Sequence, residues 1–280
     1  MPSNERPARR AVLRAGAALS LTALAGCTTA LGRAETDEST STHTVPDGAR
    51  LVVENRNGAV TVERGDGESL VLSTTKRTRA GRDHLDRVEV RTRTDGDRFV
   101  VERVAVDGAD DGEVTVDVTL AVPPGVPVAS VTTANGAVSL SGTAGDTDVR
   151  TENGAVTAVD VDGRLSLRTS NGRIEAAGVR GYRDLRTENG EIDASVASMA
   201  GDLAVETTNG RVSLALDRAL DARIDASTTN GRVTVEGLAL AEHEVRRERV
   251  TGRLGEGTHE LRVRTTNGPV DLRTLEEEPT

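Results

Sequence analysis

Hydrophobic and polar residues alternate along most of the chain, in short runs that meet at a recurring Asn-Gly dipeptide. Before the dipeptide, aliphatic residues and Thr stand four and two positions ahead of Asn. After it, aliphatic residues stand three and five positions behind Asn. A period of two is typical of a β-strand with one buried face. The pattern predicts two short strands per unit, joined by a turn or bulge at Asn-Gly, with Asn itself in the inward-facing set.

The dipeptide occurs eight times, and through the middle of the chain it recurs about every 18 residues. Thr stands two positions before Asn in seven copies, and Val or Ile stands three positions after it in all eight. A fixed period of this kind is typical of stacked repeat architectures. The Asn residues of the regular stretch are Asn135, Asn153, Asn171, Asn189, Asn209 and Asn230.

Two architectures could use such a motif. Asn-Gly between alternating runs is the strongest short-range signal for a β-hairpin, so a meander of hairpins is one alternative. A hairpin gives no reason for Thr-x-Asn-Gly-x-Val/Ile to recur in every unit, whereas stacked coils do, because their Asn side chains can form a hydrogen-bonded ladder. We therefore predict an all-β fold, a single-chain β-solenoid (β-helix) of about 18-residue coils, with the six Asn residues as its structural ladder. An immunoglobulin-like sandwich does not need this period.

The repeat also predicts how the folded domain, residues 46–275, is divided. Regular coils are expected over 129–236. The irregular stretch 66–128 is expected to be a β-rich N-terminal cap, with a hairpin turned at Asp95-Gly96 and a strand over 114–122. A closing coil at 237–275 contains a segment, 239–249, that we expect to be a helical turn or a loop. An acidic tail follows at 276–280.

The N-terminal residues 1–26 are typical of a secretory signal. Arg9 and Arg10 open a basic stretch, and the apolar run that follows has about ten residues, too few for the roughly 20 that cross a bilayer. The paired arginines resemble a twin-arginine export signal. Leu24-Ala25-Gly26-Cys27 resembles a lipobox, in which the Cys is lipidated. We predict a lipid anchor on Cys27, a flexible linker over 27–45, and a location on the outer face of the cytoplasmic membrane.

Composition limits the remaining function classes. The net charge is −10, and the first 27 residues contribute +3, so the rest of the chain carries −13. Such an acidic chain is a poor nucleic-acid binder, which needs a basic surface. Lys76 is the only lysine, and abundant acid with almost no Lys suggests a halophilic protein. One cysteine and four scattered histidines provide no metal-ligand cluster, so we predict no metal site and no cofactor.

The outward positions contain two groups with candidate chemistry. Stacked coils would align Arg150, Arg168 and Arg186 as a candidate anion strip for an acidic glycan, against the simpler interpretation of a solvated face in high salt. Glu175 and Asp193 would lie about 5 Å apart, the separation that retaining glycosidases use. Any stacked pair in a solenoid shares that spacing, so the pair is weak evidence for catalysis.

The order of motifs carries a family resemblance. A strand, Pro-Pro-Gly-Val-Pro-Val at 123–128, the tandem coils and a last Thr265-Thr-Asn-Gly-x-Val270 follow one another. This order resembles the putative adhesin family of β-strand-repeat proteins, a domain of unknown biochemical function, over about residues 50–273. The resemblance implies a surface location and a binding role.

Together these features predict a non-catalytic, lipid-anchored cell-surface protein with a structural, adhesive or binding role. We expect it to be a monomer whose partners are the membrane, through Cys27, and envelope glycans or surface proteins. The alternative is a polysaccharide lyase or hydrolase on the same β-helix scaffold.

Overall fold

A computed structural model describes residues 34–108 and 112–276, and these residues form 23 β-strands and two 3-10 helices, Arg82–Arg87 and Val106–Gly108. The strands are β1 (Glu35–His43), β2 (Arg50–Glu54), β3 (Val60–Arg64), β4 (Leu70–Thr78), β5 (Val88–Asp95), β6 (Arg98–Ala105), β7 (Thr115–Val122), β8 (Val128–Thr132), β9 (Val138–Ser141), β10 (Thr147–Asn153), β11 (Val156–Val159), β12 (Arg164–Asn171), β13 (Ile174–Ala177), β14 (Gly181–Arg186), β15 (Ile192–Val196), β16 (Leu203–Asn209), β17 (Val212–Leu216), β18 (Ala222–Asn230), β19 (Val233–Glu236), β20 (Ala241–Val245), β21 (Arg249–Leu254), β22 (His259–Asn267) and β23 (Val270–Thr274). The prediction of an all-β chain is confirmed.

The strands are arranged in two large sheets. Sheet A has the order β1-β4-β7-β3-β9-β11-β13-β15-β17-β23-β19, and sheet B has the order β20-β21-β18-β22-β16-β14-β12-β10-β8-β2-β6-β5. Each regular coil gives one strand to sheet B and the next to sheet A, as β10 and β11 do. Neighbouring coils pair in parallel, with Val149 beside Leu167 in sheet B and Val156 beside Ile174 in sheet A. The result is a β-solenoid-like fold.

The inward faces of the two sheets form a continuous core of small aliphatic side chains. Each coil places alternate residues inside, and in the coil of β10 and β11 these are Val149, Val156 and Ala158, all at most 2% exposed. Burial of an aliphatic side chain contributes about 1.5–3 kcal/mol, less than the ordering of a whole coil costs. A coil is therefore stable only against its neighbours, which explains why the strands pair in register along the whole stack.

Asn-Gly marks the corner at which the chain passes from sheet B to sheet A. At all eight of these corners a strand of sheet A begins three residues after Asn, so the motif does not join two strands of a hairpin. The two coils approach so closely here that only Gly fits: a Cβ on Gly172 would lie 1.9 Å from the carbonyl oxygen of Gly154. The corresponding distance is 1.8–2.1 Å at the other seven corner glycines.

The coils do not stack in chain order at either end. The last coil, β22 and β23, lies between the coils that contain Asn209 and Asn230, because β22 pairs with both β16 and β18. The regular coils that we expected over 129–236 are therefore interrupted between Asn209 and Asn230, where this later coil is inserted. The hairpin of β20 and β21 explains the displacement, since β21 pairs with β18 on its far side and leaves the near side to β22.

Two segments that we predicted to be irregular are strands. Residues 35–43, within the predicted linker 27–45, form β1, which pairs antiparallel with β4 at the edge of sheet A. Its side chains are mostly exposed on both faces, so no hydrophobic alternation marks it, and backbone pairing with hydroxyl contacts such as Ser39 to Thr74 stabilises it instead. Within 239–249, β20 and the start of β21 replace the expected helical turn or loop, because β21 pairs with the edge of β18 and β20 pairs with β21.

The N-terminal irregular region continues the stack in both sheets. β5 and β6 form a hairpin whose turn contains Asp95-Gly96, as predicted, and β6 pairs with β2 in sheet B. β7 covers the predicted strand at 114–122 and pairs with β3 in sheet A. No helix in the described residues is both long and apolar enough to cross a membrane.

Candidate functional site

The eight Asn side chains form one hydrogen-bonded ladder along an outer corner of the solenoid. In each rung the Nδ2 of one Asn donates at 2.7–2.9 Å to the Oδ1 of the Asn before it in the spatial order Asn57, Asn135, Asn153, Asn171, Asn189, Asn209, Asn267 and Asn230. The prediction that Asn faces inward is wrong, because the six Asn residues of the regular stretch are all exposed. The chain bends at the corner, so Asn leaves the inward set that Thr and the aliphatic residues occupy.

The buried member of the motif is Thr, two positions before Asn. The Thr169 hydroxyl donates to the carbonyl oxygen of Gly154 at 3.0 Å, and Thr151, Thr187, Thr207 and Thr265 make the same bond in their own coils. A buried carbonyl oxygen without a hydrogen-bond partner lowers the free energy of unfolding by about 1–3 kcal/mol. The Thr hydroxyl therefore provides the Gly carbonyl at each of these corners with the partner that a buried polar group needs.

A polar groove lies on sheet B beside the ladder. Its lining consists of the three residues that precede the ladder Asn in each of six strands, β10, β12, β14, β16, β22 and β18, and its volume is about 840 Å³. Six strands at a spacing of about 4.8 Å give it a length of roughly 24 Å along the solenoid axis. The strands' parallel register therefore aligns like positions into continuous rows along the groove.

One row of the groove contains the three predicted arginines. Arg150, Arg168 and Arg186 are register partners on β10, β12 and β14, and Glu206 follows on β16. Arg168 holds the largely buried Asp184 through two contacts of 2.8 Å, from Nη2 to Oδ2 and from Nε to Oδ1. The Nε of Arg186 lies 3.8 Å from Asp184 and 3.5 Å from the nearer carboxylate oxygen of Glu206. Two of the three arginines are thus largely neutralised.

The arginines of the groove that are not neutralised by a carboxylate lie towards its two ends. In the part of the chain that the structure describes, Arg150 and Arg264 line the groove, are exposed and have no carboxylate partner. They lie on β10 and β22, four strand spacings or about 19 Å apart. We did not single out Arg264 in the sequence, although it precedes Asn267 by three positions as Arg150 precedes Asn153. The unpredicted coil order is what brings it into the row.

A second cluster of opposite charges lies on a neighbouring part of sheet B. The Asp146 carboxylate accepts from the backbone N–H of Arg164 at 3.0 Å, and the guanidiniums of Arg183 and Arg164 lie within 3.0 Å of it. These contacts, led by the backbone hydrogen bond, lower the pKa of Asp146 to about 2. The cluster joins non-adjacent coils, so it contributes to structure.

The acidic pair considered for catalysis lies on sheet A, outside the polar groove. Glu175 and Asp193 are register partners, and Arg173 lies between them, 3.7 Å from Glu175 and 3.3 Å from Asp193. Both carboxylates are about half exposed. Within residues 34–108 and 112–276 no group of three or more His, Cys, Asp or Glu side chains could hold a metal ion. The export residues Arg9 and Arg10 and the lipidation residue Cys27 lie outside the described residues.

A comparison with protein-family models matches residues 34–273 to the model described as Toastrack DUF4097. The chain belongs to the Toastrack DUF4097 family. The match spans nearly the whole described part of this Toastrack chain, and it confirms the resemblance to a domain of unknown biochemical function. A comparison with curated proteins found no match.

Several solved structures are similar to this Toastrack chain. A putative cell adhesion protein from Clostridium sporogenes is 10% identical, with 86% of this chain and 100% of that chain covered and a TM-score of 0.37. A putative adhesin from Bacteroides fragilis is 10% identical, with 85% and 97% covered and a TM-score of 0.40. A putative lipid binding protein from Parabacteroides distasonis is 11% identical, with 88% and 98% covered and a TM-score of 0.35.

Proposed function

We propose that this Toastrack protein is exported, anchored by a lipid on Cys27 to the outer face of the cytoplasmic membrane, and binds an acidic envelope glycan without catalysis. The binding surface is the polar groove. The observation that carries the proposal is the groove itself, which is roughly 24 Å long and is lined by a similar set of polar side chains from every strand. A linear polymer with a repeating unit fits such a surface better than a compact small molecule does.

The chemistry of the rows supports a sugar chain with some acidic units. Hydroxyls of Ser170, Thr208 and Thr266 stand beside the carboxylates of Glu152 and Glu188 in the row next to Asn. Hydroxyls and carboxylates can hydrogen-bond the hydroxyl groups of a polysaccharide. The guanidiniums of Arg150 and Arg264 provide two separate positions for carboxylate or sulfate groups.

Anchoring rests on the sequence of the N-terminal segment. The paired Arg9 and Arg10, the short apolar run and the small residues before Cys27 are the three parts of a lipoprotein export signal. A diacylglycerol on Cys27 would provide two acyl chains, which is enough for stable membrane attachment. The only cysteine of the chain would then be consumed by the anchor.

Substitution of Cys27 tests the anchor. Cys27→Ser is expected to abolish incorporation of a metabolic lipid label and to remove the mature protein from the membrane fraction. Thr28→Ser, the matched control on the next residue, should retain both. A Cys27→Ser protein that remains labelled and membrane-bound would contradict the lipid anchor.

Charge reversal in the groove tests the ligand. Arg150→Glu and Arg264→Glu are expected to reduce retention on an immobilised acidic polysaccharide, measured in molar salt. Arg218→Glu changes the charge equally at an exposed residue outside the polar groove and serves as the matched control. Arg168→Glu is a poorer probe, because it would also expose the largely buried Asp184 to a like charge. Equal retention of Arg150→Glu, Arg264→Glu, Arg218→Glu and the wild type would exclude the groove as an acidic-glycan site.

A further inference from the structure

The two ends of the Asn ladder differ in a way that has a chemical consequence. At seven corners the backbone N–H of the Gly donates to the carbonyl oxygen of the Asn in the next coil, at 2.7–3.1 Å. The glycines that donate are Gly58, Gly136, Gly154, Gly172, Gly190, Gly210 and Gly268. The eighth, Gly231, follows the last Asn of the spatial ladder, and its N–H has no hydrogen-bond partner among the described residues.

That nitrogen is the nucleophile of a well-defined backbone reaction. The nitrogen of a residue that follows Asn can attack the Asn Cγ, forming an N–C bond and a five-membered succinimide, while the C–N bond of the side-chain amide breaks and ammonia leaves with the proton from the backbone nitrogen. Water then opens the ring to Asp or to isoaspartate. Gly in the following position favours the attack because it lacks a Cβ that would hinder it.

The internal corners restrain both reacting groups. In the coil of Asn171 the Gly172 N–H is bonded to the Asn189 carbonyl at 3.1 Å, and the Asn171 amide is held by ladder bonds on both sides. The N-terminal rung is restrained as well: Gly58 donates to Asn135 at 2.7 Å, and the Asn57 amide donates to Gly112 and accepts from Asn135.

At Asn230 these restraints are reduced. Its side chain keeps one ladder bond, from Nδ2 to the Asn267 Oδ1 at 2.9 Å, and it is exposed to the water that opens the ring. We propose that Asn230-Gly231 is a site of spontaneous deamidation through a succinimide, and that the other seven Asn-Gly dipeptides are protected in the folded protein. Either product removes the Nδ2 donor of the last rung, and isoaspartate also lengthens the main chain at the corner between β18 and β19.

Eight identical dipeptides in one chain provide their own internal controls. The purified full-length protein is incubated at mildly alkaline pH until one of the eight sites is measurably converted, and peptide mapping by mass spectrometry gives the conversion at each. Asn230 is expected to convert roughly fivefold or more faster than Asn171, the factor that corresponds to one backbone hydrogen bond. In a denaturant that unfolds the chain, the two sites should convert at similar rates.

The matched variant is Asn230→Gln, which retains the amide but would require a six-membered ring. It should eliminate the early mass increase and the isoaspartate detected by an isoaspartyl methyltransferase, without accelerating conversion elsewhere. Conversion at similar rates at Asn230 and Asn171 in the folded protein, or first conversion at an internal Asn, would overturn the proposal.

Discussion

The close approach of successive corners makes Gly172→Ala the most direct test of the stacked architecture. The new Cβ would lie 1.9 Å from the Gly154 carbonyl oxygen, whereas ordinary van der Waals contact begins near 3.4 Å. The two coils must therefore separate locally by about 1.5 Å, because the backbone on both sides is paired in its sheets and cannot rotate the methyl group away.

The size of the loss follows from the bonds that cross this corner. They are the Gly154 N–H to the Asn171 carbonyl at 3.0 Å, the Asn171 to Asn153 ladder bond at 2.9 Å and the Thr169 hydroxyl to the Gly154 carbonyl at 3.0 Å. A shift of about 1.5 Å takes all three beyond hydrogen-bond range. At about 1 kcal/mol each, with about 1–3 kcal/mol for overpacking, we expect Gly172→Ala to lower the free energy of unfolding by about 4–6 kcal/mol.

Urea unfolding at constant high ionic strength, followed by circular dichroism, measures this change. Gly201→Ala is the matched control, since no atom lies within 4 Å of its added Cβ and its backbone is not in the left-handed region. It should be neutral or stabilise the fold by up to about 1 kcal/mol. If the free energies of unfolding of Gly172→Ala and Gly201→Ala differ by less than about 0.5 kcal/mol, the coils do not meet at the corners as described.

Three further predictions concern buried or charged groups. Thr169→Val should cost about 1–3 kcal/mol in urea unfolding because it leaves the Gly154 carbonyl without its hydroxyl partner, while Thr169→Ser should recover most of that loss. The folded-state pKa of Asp146, about 2, lies below the ordinary 3.8, so its ionised form stabilises the fold above about pH 4, and this stabilisation is lost as the pH falls to 2. The Tm of Asp146→Asn should therefore fall less than that of the wild type over this range. Equal pH profiles of Tm would refute the stabilising role of the Asp146 carboxylate. Tyr182→Phe should lower the free energy of unfolding by about 1 kcal/mol, because the phenol donates to the Ser195 carbonyl at 3.0 Å. Burial raises the pKa of Tyr182, so the absorbance spectrum of the wild type should show no phenolate signal at mildly alkaline pH.

The sequence predicted the coil because every position of the motif has its own physical requirement. Gly172 is required by the carbonyl of the coil beneath it, Thr169 by that same carbonyl, and Ile174 by the core. The direction of the Asn side chain was missed because period-two alternation assumes a straight strand, and the chain bends at the corner.

The order of the coils could not be predicted for a related reason. A coil that ends in Thr265-Thr-Asn267-Gly presents the same backbone, hydroxyl and amide to its neighbours as one that ends in Thr228-Thr-Asn230-Gly. The motif therefore specifies that coils stack but not which coil lies beside which. That choice depends on the β20–β21 hairpin, whose exposed, polar β20 has no distinctive alternation.

The same division of positions indicates where function can be encoded in this fold. Stacking determines the residues at the corner and in the core, so their chemistry cannot vary without cost to the fold. The positions three and one before Asn point into the polar groove and make no contribution to the ladder, and there the coils differ: Arg150, Glu206 and Ser227 occupy one row, and Glu152 and Thr229 the next. If the groove binds a ligand as proposed, its specificity should therefore change through these two rows at little cost in stability, except at Arg168, which pairs with the largely buried Asp184. A substitution at Thr, Asn or Gly would instead alter stability before it altered binding.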